Sequence, residues 1–147
     1  MIEYSVKVYP RGTKYWYLNG KLHSEHGPAV EYADGSKYWY VSGQRHREDG
    51  PAIEYANGTR HWYFNDKLHC EHGPAIEYAN GGKSWYLKDK LHREDGPAVE
   101  RANGDKYWYL HDKRLTEQEW QAKTSKPSHD GREVEIDGVT YVLKRKG

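Results

Sequence analysis

The sequence predicts an all-β fold: an elongated tandem-repeat antiparallel sheet with two short strands per unit, a short C-terminal helix and a terminal β-hairpin. Three observations predict it. Trp16, Trp39, Trp62, Trp85 and Trp108 recur every 23 residues, and Gly12, Gly35, Gly58, Gly81 and Gly104 keep the same step. Gly-Pro-Ala recurs in phase from Gly27, Gly50, Gly73 and Gly96. Each unit also carries an aromatic, strand-prone run followed by a turn dipeptide. So many positions in phase at this period mean a stacked array, each unit covered by its neighbours.

Residues 1–11 open the chain with a cap strand. Tyr4 to Pro10 occupies the place of a second strand, but Ile2, Tyr4, Val6 and Val8 share one parity. An array end must differ from its middle, since a bare sheet edge invites pairing.

The array itself spans 12–115. Lys14-Tyr15-Trp16-Tyr17-Leu18 is the first strand of a unit and runs into Asn19-Gly20, a hairpin signal because both turn residues need positive φ. Later units place Ser42-Gly43, Asn65-Asp66, Lys88-Asp89 and His111-Asp112 there, so the turn persists with weaker chemistry. The chain returns through Lys21-Leu22-His23, bends at Gly27-Pro28 and forms Ala29-Val30-Glu31-Tyr32 as the second strand. Proline is tolerated at a strand start. Ala33-Asp34-Gly35 then turns into the next unit.

Residues 116–147 form the C-terminal cap. Leu115 to Lys123 reads as a short helix, with Thr116 and Glu119 at capping-box spacing. Lys126-Pro127-Ser128-His129-Asp130-Gly131 reads as a linker, Val134 to Val142 as a hairpin around Asp137-Gly138, and Lys144-Arg145-Lys146 as a solvated tail.

Composition narrows the function classes. The chain is polar, 35% hydrophobic with a mean hydropathy of -1.17, yet 14% aromatic with 14 Tyr and 6 Trp. Disordered chains are poor in such rings, so burial must come from a few large side chains. Lys+Arg at 23 against Asp+Glu at 22 gives a net charge of +1, which argues against nucleic acid as partner. No stretch is long and apolar enough to span a bilayer, and the lone Cys70 leaves no internal disulfide framework. The expectation is a cytoplasmic protein with no membrane partner.

Residues repeated in every unit are read first as structural. The five tryptophans are the expected core rings, sharing their face with Leu18, Val41, Phe64, Leu87 and Leu110, and Val30, Ile53, Ile76 and Val99 are expected to complete that apolar stripe. Tyr17, Tyr40, Tyr63, Tyr86 and Tyr109 point to the opposite face by strand parity. They are either inter-strand filling with wet hydroxyls or an aromatic binding face, and they are the expected partner site. His23/Glu25, His46/Glu48, His69/Glu71 and His92/Glu94 read as a hydrogen-bond ladder holding the bend, because an enzyme needs one site and not four equal copies. His69-Cys70-Glu71-His72 is the richest ligand cluster, yet one cysteine without a second cluster is a weak zinc signal. No metal, cofactor or catalytic residue is expected. One alternation stands out: Ser24-Glu25-His26 and Cys70-Glu71-His72 against Arg47-Glu48-Asp49 and Arg93-Glu94-Asp95. It is either drift or a doubled pair of units in which neighbouring bends set His against Asp.

Asn19-Gly20-Lys21-Leu22-His23, followed by a glycine and then Ala33-Asp34-Gly35, resembles the MORN repeat. Leu91-His92-Arg93-Glu94-Asp95-Gly96-Pro97-Ala98 is more closely similar to the MORN-variant arrays of bacteriophage and giant-virus proteins. The standard His-Gly step is replaced here by His-x-x-x-Gly. The resemblance implies a single-layer antiparallel sheet serving as a platform for partners, and it carries over no catalytic residues. The function expected is a non-enzymatic binding protein that captures a protein or small ligand on one sheet face. In the narrower form that the resemblance implies, it is a phage-type inhibitor of host defence in the host cytoplasm, taking up a host protein or a small nucleotide-like ligand. The alternative is an assembly scaffold that self-associates through its terminal elements, which leaves oligomerisation open.

Overall fold

The computed structural model describes residues 1–125 and 133–142, and it shows the open antiparallel sheet of short hairpins that the repeat predicts. The linker expected at 126–131 and the tail at 144–146 lie outside the described residues. Twelve strands join one sheet, each paired antiparallel with its neighbours in a meander. It starts at Tyr4–Val8, which pairs with Lys14–Leu18, and it ends at Lys106–Leu110 with Lys113–Leu115. Between these ends each unit adds a return strand such as Val30–Glu31 or Ile53–Glu54 and an outgoing strand such as Lys37–Tyr38 or Arg60–His61.

The outgoing segment continues past its tryptophan into a second, smaller hairpin: Tyr40–Val41 with Gln44–Arg45, Tyr63–Phe64 with Lys67–Leu68, and Tyr86–Leu87 with Lys90–Leu91. Neighbouring hairpins are themselves joined by backbone bonds, Gly43 N–H to Leu22 C=O at 2.8 Å and Asp66, Asp89 and Asp112 N–H to residues 45, 68 and 91 at 2.9 Å. The outgoing segment passes from one hairpin to the other with a break of one residue at its tryptophan, while the return segment is interrupted by a loop such as residues 24–28. Ser24 N–H reaches Tyr40 C=O and Ala29 N–H reaches Tyr38 C=O, so the loop bulges out across Trp39.

Register assigns the faces. Residues directly opposite in an antiparallel pair share a face, and Val30 stands opposite both Tyr15 and Tyr38, Ile53 opposite Tyr38 and His61. The Val/Ile row therefore lies on the tyrosine face and does not complete the tryptophan stripe. Strand alternation fixes the faces within the outgoing strand, but the phase between the two strands is set by the loop, which alternation does not reveal. The tryptophan face instead packs on Ala29, Ala52, Ala75 and Ala98, all 0% exposed. A single-layer sheet has no second layer to bury it, so each face is covered by its own flat side chains. Val41 and Phe64 remain exposed beside the half-buried tryptophans.

The ends follow the sequence reading. Tyr4–Val8 fills a return-strand position, with Asn19 Oδ1 accepting from Glu3 N–H at 2.9 Å. The helix runs Glu117–Thr124 behind the N-cap Thr116, whose hydroxyl accepts from Glu119 N–H while the Glu119 carboxylate accepts from Thr116 N–H. It lies where a further unit would place its loop, and Trp120 Nε1–H donates to Arg93 C=O at 2.8 Å. Leu115 stands in the phase of His23, His46, His69 and His92 and is buried. Glu133–Ile136 and Val139–Val142 form the terminal hairpin.

Candidate functional sites on the two faces

The tyrosine face is a ladder of rings. Tyr17, Tyr40, Tyr63, Tyr86 and Tyr109 are half-buried in one row, and burial, above all, pushes the Tyr40, Tyr63 and Tyr86 hydroxyls above their ordinary value. Lys7 lies 5.1 Å over the Tyr17 ring and Arg45 4.0 Å over Tyr63, so two of the five already carry a cation. Tyr17 stacks on Tyr15 at 6.4 Å and Tyr63 lies 6.3 Å from His61, but the continuous run of ring contacts belongs to a second set. Tyr9, Tyr15, Tyr32, Tyr38, Tyr55 and His61 follow one another edge to face, with centroids 5.1 to 6.2 Å apart. Each ring presents its positive edge to the next one's negative face, which is worth about 0.5–1.5 kcal/mol per pair beyond area burial.

This ladder ends at His61, and Ser84 is the next outgoing position on the same face. It stands in the phase of Tyr15, Tyr38, His61 and Tyr107, is itself buried, and opens a hollow of about 540 Å³ lined by Tyr78, Tyr86, Val99, Glu100 and Arg101. Gly82 admits the Tyr78 ring, which lies 3.4 Å from where a Cβ would sit. Of the five tyrosines singled out in the sequence, Tyr86 alone lines this hollow. The phase break at 84 was legible as a signal.

On the tryptophan face, successive loops wall off grooves. The one over Trp62 holds about 540 Å³ between residues 47–50 and 69–72, with Phe64 on its floor. The four histidines lie at the loop starts and hydrogen-bond the next unit through Nδ1. Nδ1 of His23, His46, His69 and His92 accepts the backbone N–H of Ser42, Asn65, Lys88 and His111 at 3.0 to 3.3 Å. Nε2 faces the loop glutamate at 3.4 to 3.8 Å. The ladder expected within each bend thus ties one unit to the turn of the next.

The alternation between units takes a different form from the expected His–Asp pairing. Asp49 and Asp95 bind the arginine of their own loop, Arg47 Nε at 2.8 Å and Arg93 Nε at 2.7 Å. His72 is paired with Glu71. The informative variable was the first residue of the triplet, Arg against Ser or Cys, and not the third. Cys70 lines the Trp62 groove, and among the described residues no three His, Cys, Asp or Glu side chains converge as a metal site. Among the described residues no helix is long and apolar enough to cross a membrane. No protein-family model matches the chain, and no curated protein matches it either.

Proposed function

We propose that the protein is a non-enzymatic binding module whose tyrosine face captures a partner by taking a planar group into the hollow at Ser84. The observation that carries this reading is the missing ring. A buried serine stands in the phase where Tyr15, Tyr38, His61 and Tyr107 place a ring, leaving ring-sized space between Tyr78 and Tyr86 with Arg101 at its rim. Tyrosines offer flat, amphipathic area at low entropy cost, which is why they anchor many interfaces. In the narrower form that the likeness to viral MORN-variant arrays suggests, the partner is a host defence protein or its small nucleotide-like signal. The test is capture from host lysate with mass spectrometry of the protein and small-molecule fractions, comparing the native chain with Ser84→Tyr. Tyrosine at 84 supplies the missing ring beside Tyr78 and fills the hollow, so the melting temperature is expected to hold or rise while capture is lost. Full capture by a folded Ser84→Tyr protein would remove the hollow from consideration.

A second reading, a self-associating scaffold, is supported by the apolar edge at the start of the chain. Tyr4, Val6 and Val8 are more than half exposed, as are Ile136, Val139 and Val142 of the terminal hairpin. Sedimentation equilibrium without ligand distinguishes it: a monomer at high micromolar concentration excludes a scaffold built this way.

A further inference from the structure

The two arginine-bearing loops show what the other two are shaped to receive. Arg47 lays its guanidinium 4.1 Å from the Trp39 ring centre, and Arg93 does the same 3.8 Å from Trp85. In each case Nη1 donates to the proline carbonyl of the loop, Pro51 at 3.2 Å or Pro97 at 3.1 Å, and to Oε1 of the following glutamate, Glu54 or Glu100, at 3.1 Å. The loop glycine makes room for the cation: a Cβ on Gly50 would lie 3.0 Å from the Arg47 guanidinium carbon, and on Gly96 2.8 Å from that of Arg93.

Units one and three keep the ring, the carbonyl, the carboxylate that meets Nη1 and the clearance of this receptor, while His26 and His72 stand where Asp49 and Asp95 meet Nε. Trp16 and Trp62 supply the ring, Pro28 and Pro74 the carbonyl, Glu31 and Glu77 the carboxylate, and Gly27 and Gly73 the clearance. The arginine is replaced by Ser24 and Cys70. Among the described residues nothing lies within 4 Å of where a Cβ on Gly27 would sit, and at Gly73 the nearest atom is Cys70 Sγ at 3.9 Å. Glu31 and Glu77 are engaged only through Oε2, with Lys14 at 3.9 Å and Arg60 at 3.8 Å. The Oε1 position that holds the arginine in units two and four is thus left available. Glu48, Asp49 and Glu71 around the Trp62 groove outnumber Arg47, which is already paired.

We infer that Trp16 and Trp62 are guanidinium receptors, and that the protein takes up two arginine side chains of a protein partner on the face opposite the Ser84 hollow. Guanidinium suits the site better than ammonium, because it stacks flat on the indole while its planar fork reaches two acceptors. The receptors are two units apart, so four strand spacings set them about 19 Å from each other. An extended peptide spans that distance in about six residues.

The indole N–H signals of the native chain, assigned by nitrogen-15 NMR, read the outcome directly. N-acetyl-arginine methylamide should shift Trp16 and Trp62 and leave Trp39 and Trp85 in place, with the lysine analogue giving a much smaller effect. Cys70→Arg with His72→Asp rebuilds the latch of units two and four. This variant should melt no lower than the native chain and lose the arginine-dependent shift at Trp62 alone. Should it fail to fold, Glu77→Gln should weaken the shift at Trp62 and spare Trp16. A peptide with arginines six residues apart should bind at least about tenfold tighter than its single-arginine counterpart, through effective concentration. Equal affinity of the two peptides would overturn the protein partner in favour of a free guanidino compound. Absence of arginine-dependent shifts at Trp16 and Trp62, or equal shifts at all four tryptophans, would overturn the receptor itself.

Discussion

Each loop histidine acts as an acceptor at Nδ1, and that bond is its side chain's share of a unit's grip on the next turn. Removing it from His69 leaves the Lys88 N–H without that partner in an exposed turn, where water replaces it. His69→Ala should therefore cost about 1 kcal/mol. Trp62→Ala strips a half-buried ring from the floor of a groove and should cost about 3 kcal/mol or more. Urea denaturation of both variants checks the order, and a reversed order would mean that the histidine row, not the tryptophan row, holds the units. His61 provides the acid response. Burial first, and then the Arg45 charge, push its imidazole below the ordinary value, and its Nδ1 is buried without a hydrogen-bond partner. Because the folded state disfavours the proton, this contribution is complete above a pH of about 6.5 and is lost as pH falls through the depressed folded value. His61→Tyr restores the ring of Tyr15 and Tyr38 and removes that titration. Its melting temperature should fall less than that of the native chain between about pH 7.5 and about pH 5.

At the scale of elements, the turns show how non-glycine residues are held at positive φ. Lys88 and Asp89 sit at φ of 50° and 67°, and Asp89 Oδ1 accepts the Leu68 N–H of the preceding unit at 2.7 Å. Asp112 does the same for Leu91. An Asn-Gly turn needs no such help, so Asp in place of Gly trades conformational ease for a bond between units. Asp89→Ala should lose the bond and keep the strain, at about 1–2 kcal/mol. Asp89→Gly should lose the bond but relieve the strain, ending closer to neutral in the same thermal unfolding series. Both turn residues, the helix cap and the terminal hairpin were legible from local chemistry, since each is specified within a few residues. The phase between outgoing and return strands was not, because it depends on how the loops of residues 24–28 and its repeats close across the neighbouring unit. For the same reason the Arg47 latch was hidden: its acceptors at Pro51 and Glu54 belong to the far side of that loop. The alternation was visible, but nothing in a triplet says which of its members reaches a ring.

Over the whole molecule, every tie between units reaches only to the next one. Histidine Nδ1 binds the following turn, the turn aspartate binds the preceding return strand, and Thr13, Ser36 and Thr59 hydroxyls accept from the N–H of Ala33, Ala56 and Ala79. Stability should then be a sum of unit terms and nearest-neighbour terms, as in other linear arrays. Deleting residues 36–58, which joins Gly35 to Thr59, removes one period and leaves both end caps. The new neighbours meet in register: His23 Nδ1 faces the Asn65 N–H in place of that of Ser42, and Tyr32 faces His61 in place of Tyr38. The shortened chain should keep one cooperative transition, with a melting temperature lower by several degrees and a urea m-value reduced in proportion to the surface no longer buried. Deleting residues 36–81 instead joins unit one to unit four and preserves the alternation of arginine-bearing and arginine-free loops. If that alternation contributes to cohesion, the two-period deletion should lose less stability per residue removed than the one-period deletion. Calorimetry on both proteins decides it: a broad, non-cooperative transition in the one-period deletion would show that units couple beyond their neighbours, against the reach of every bond in the array.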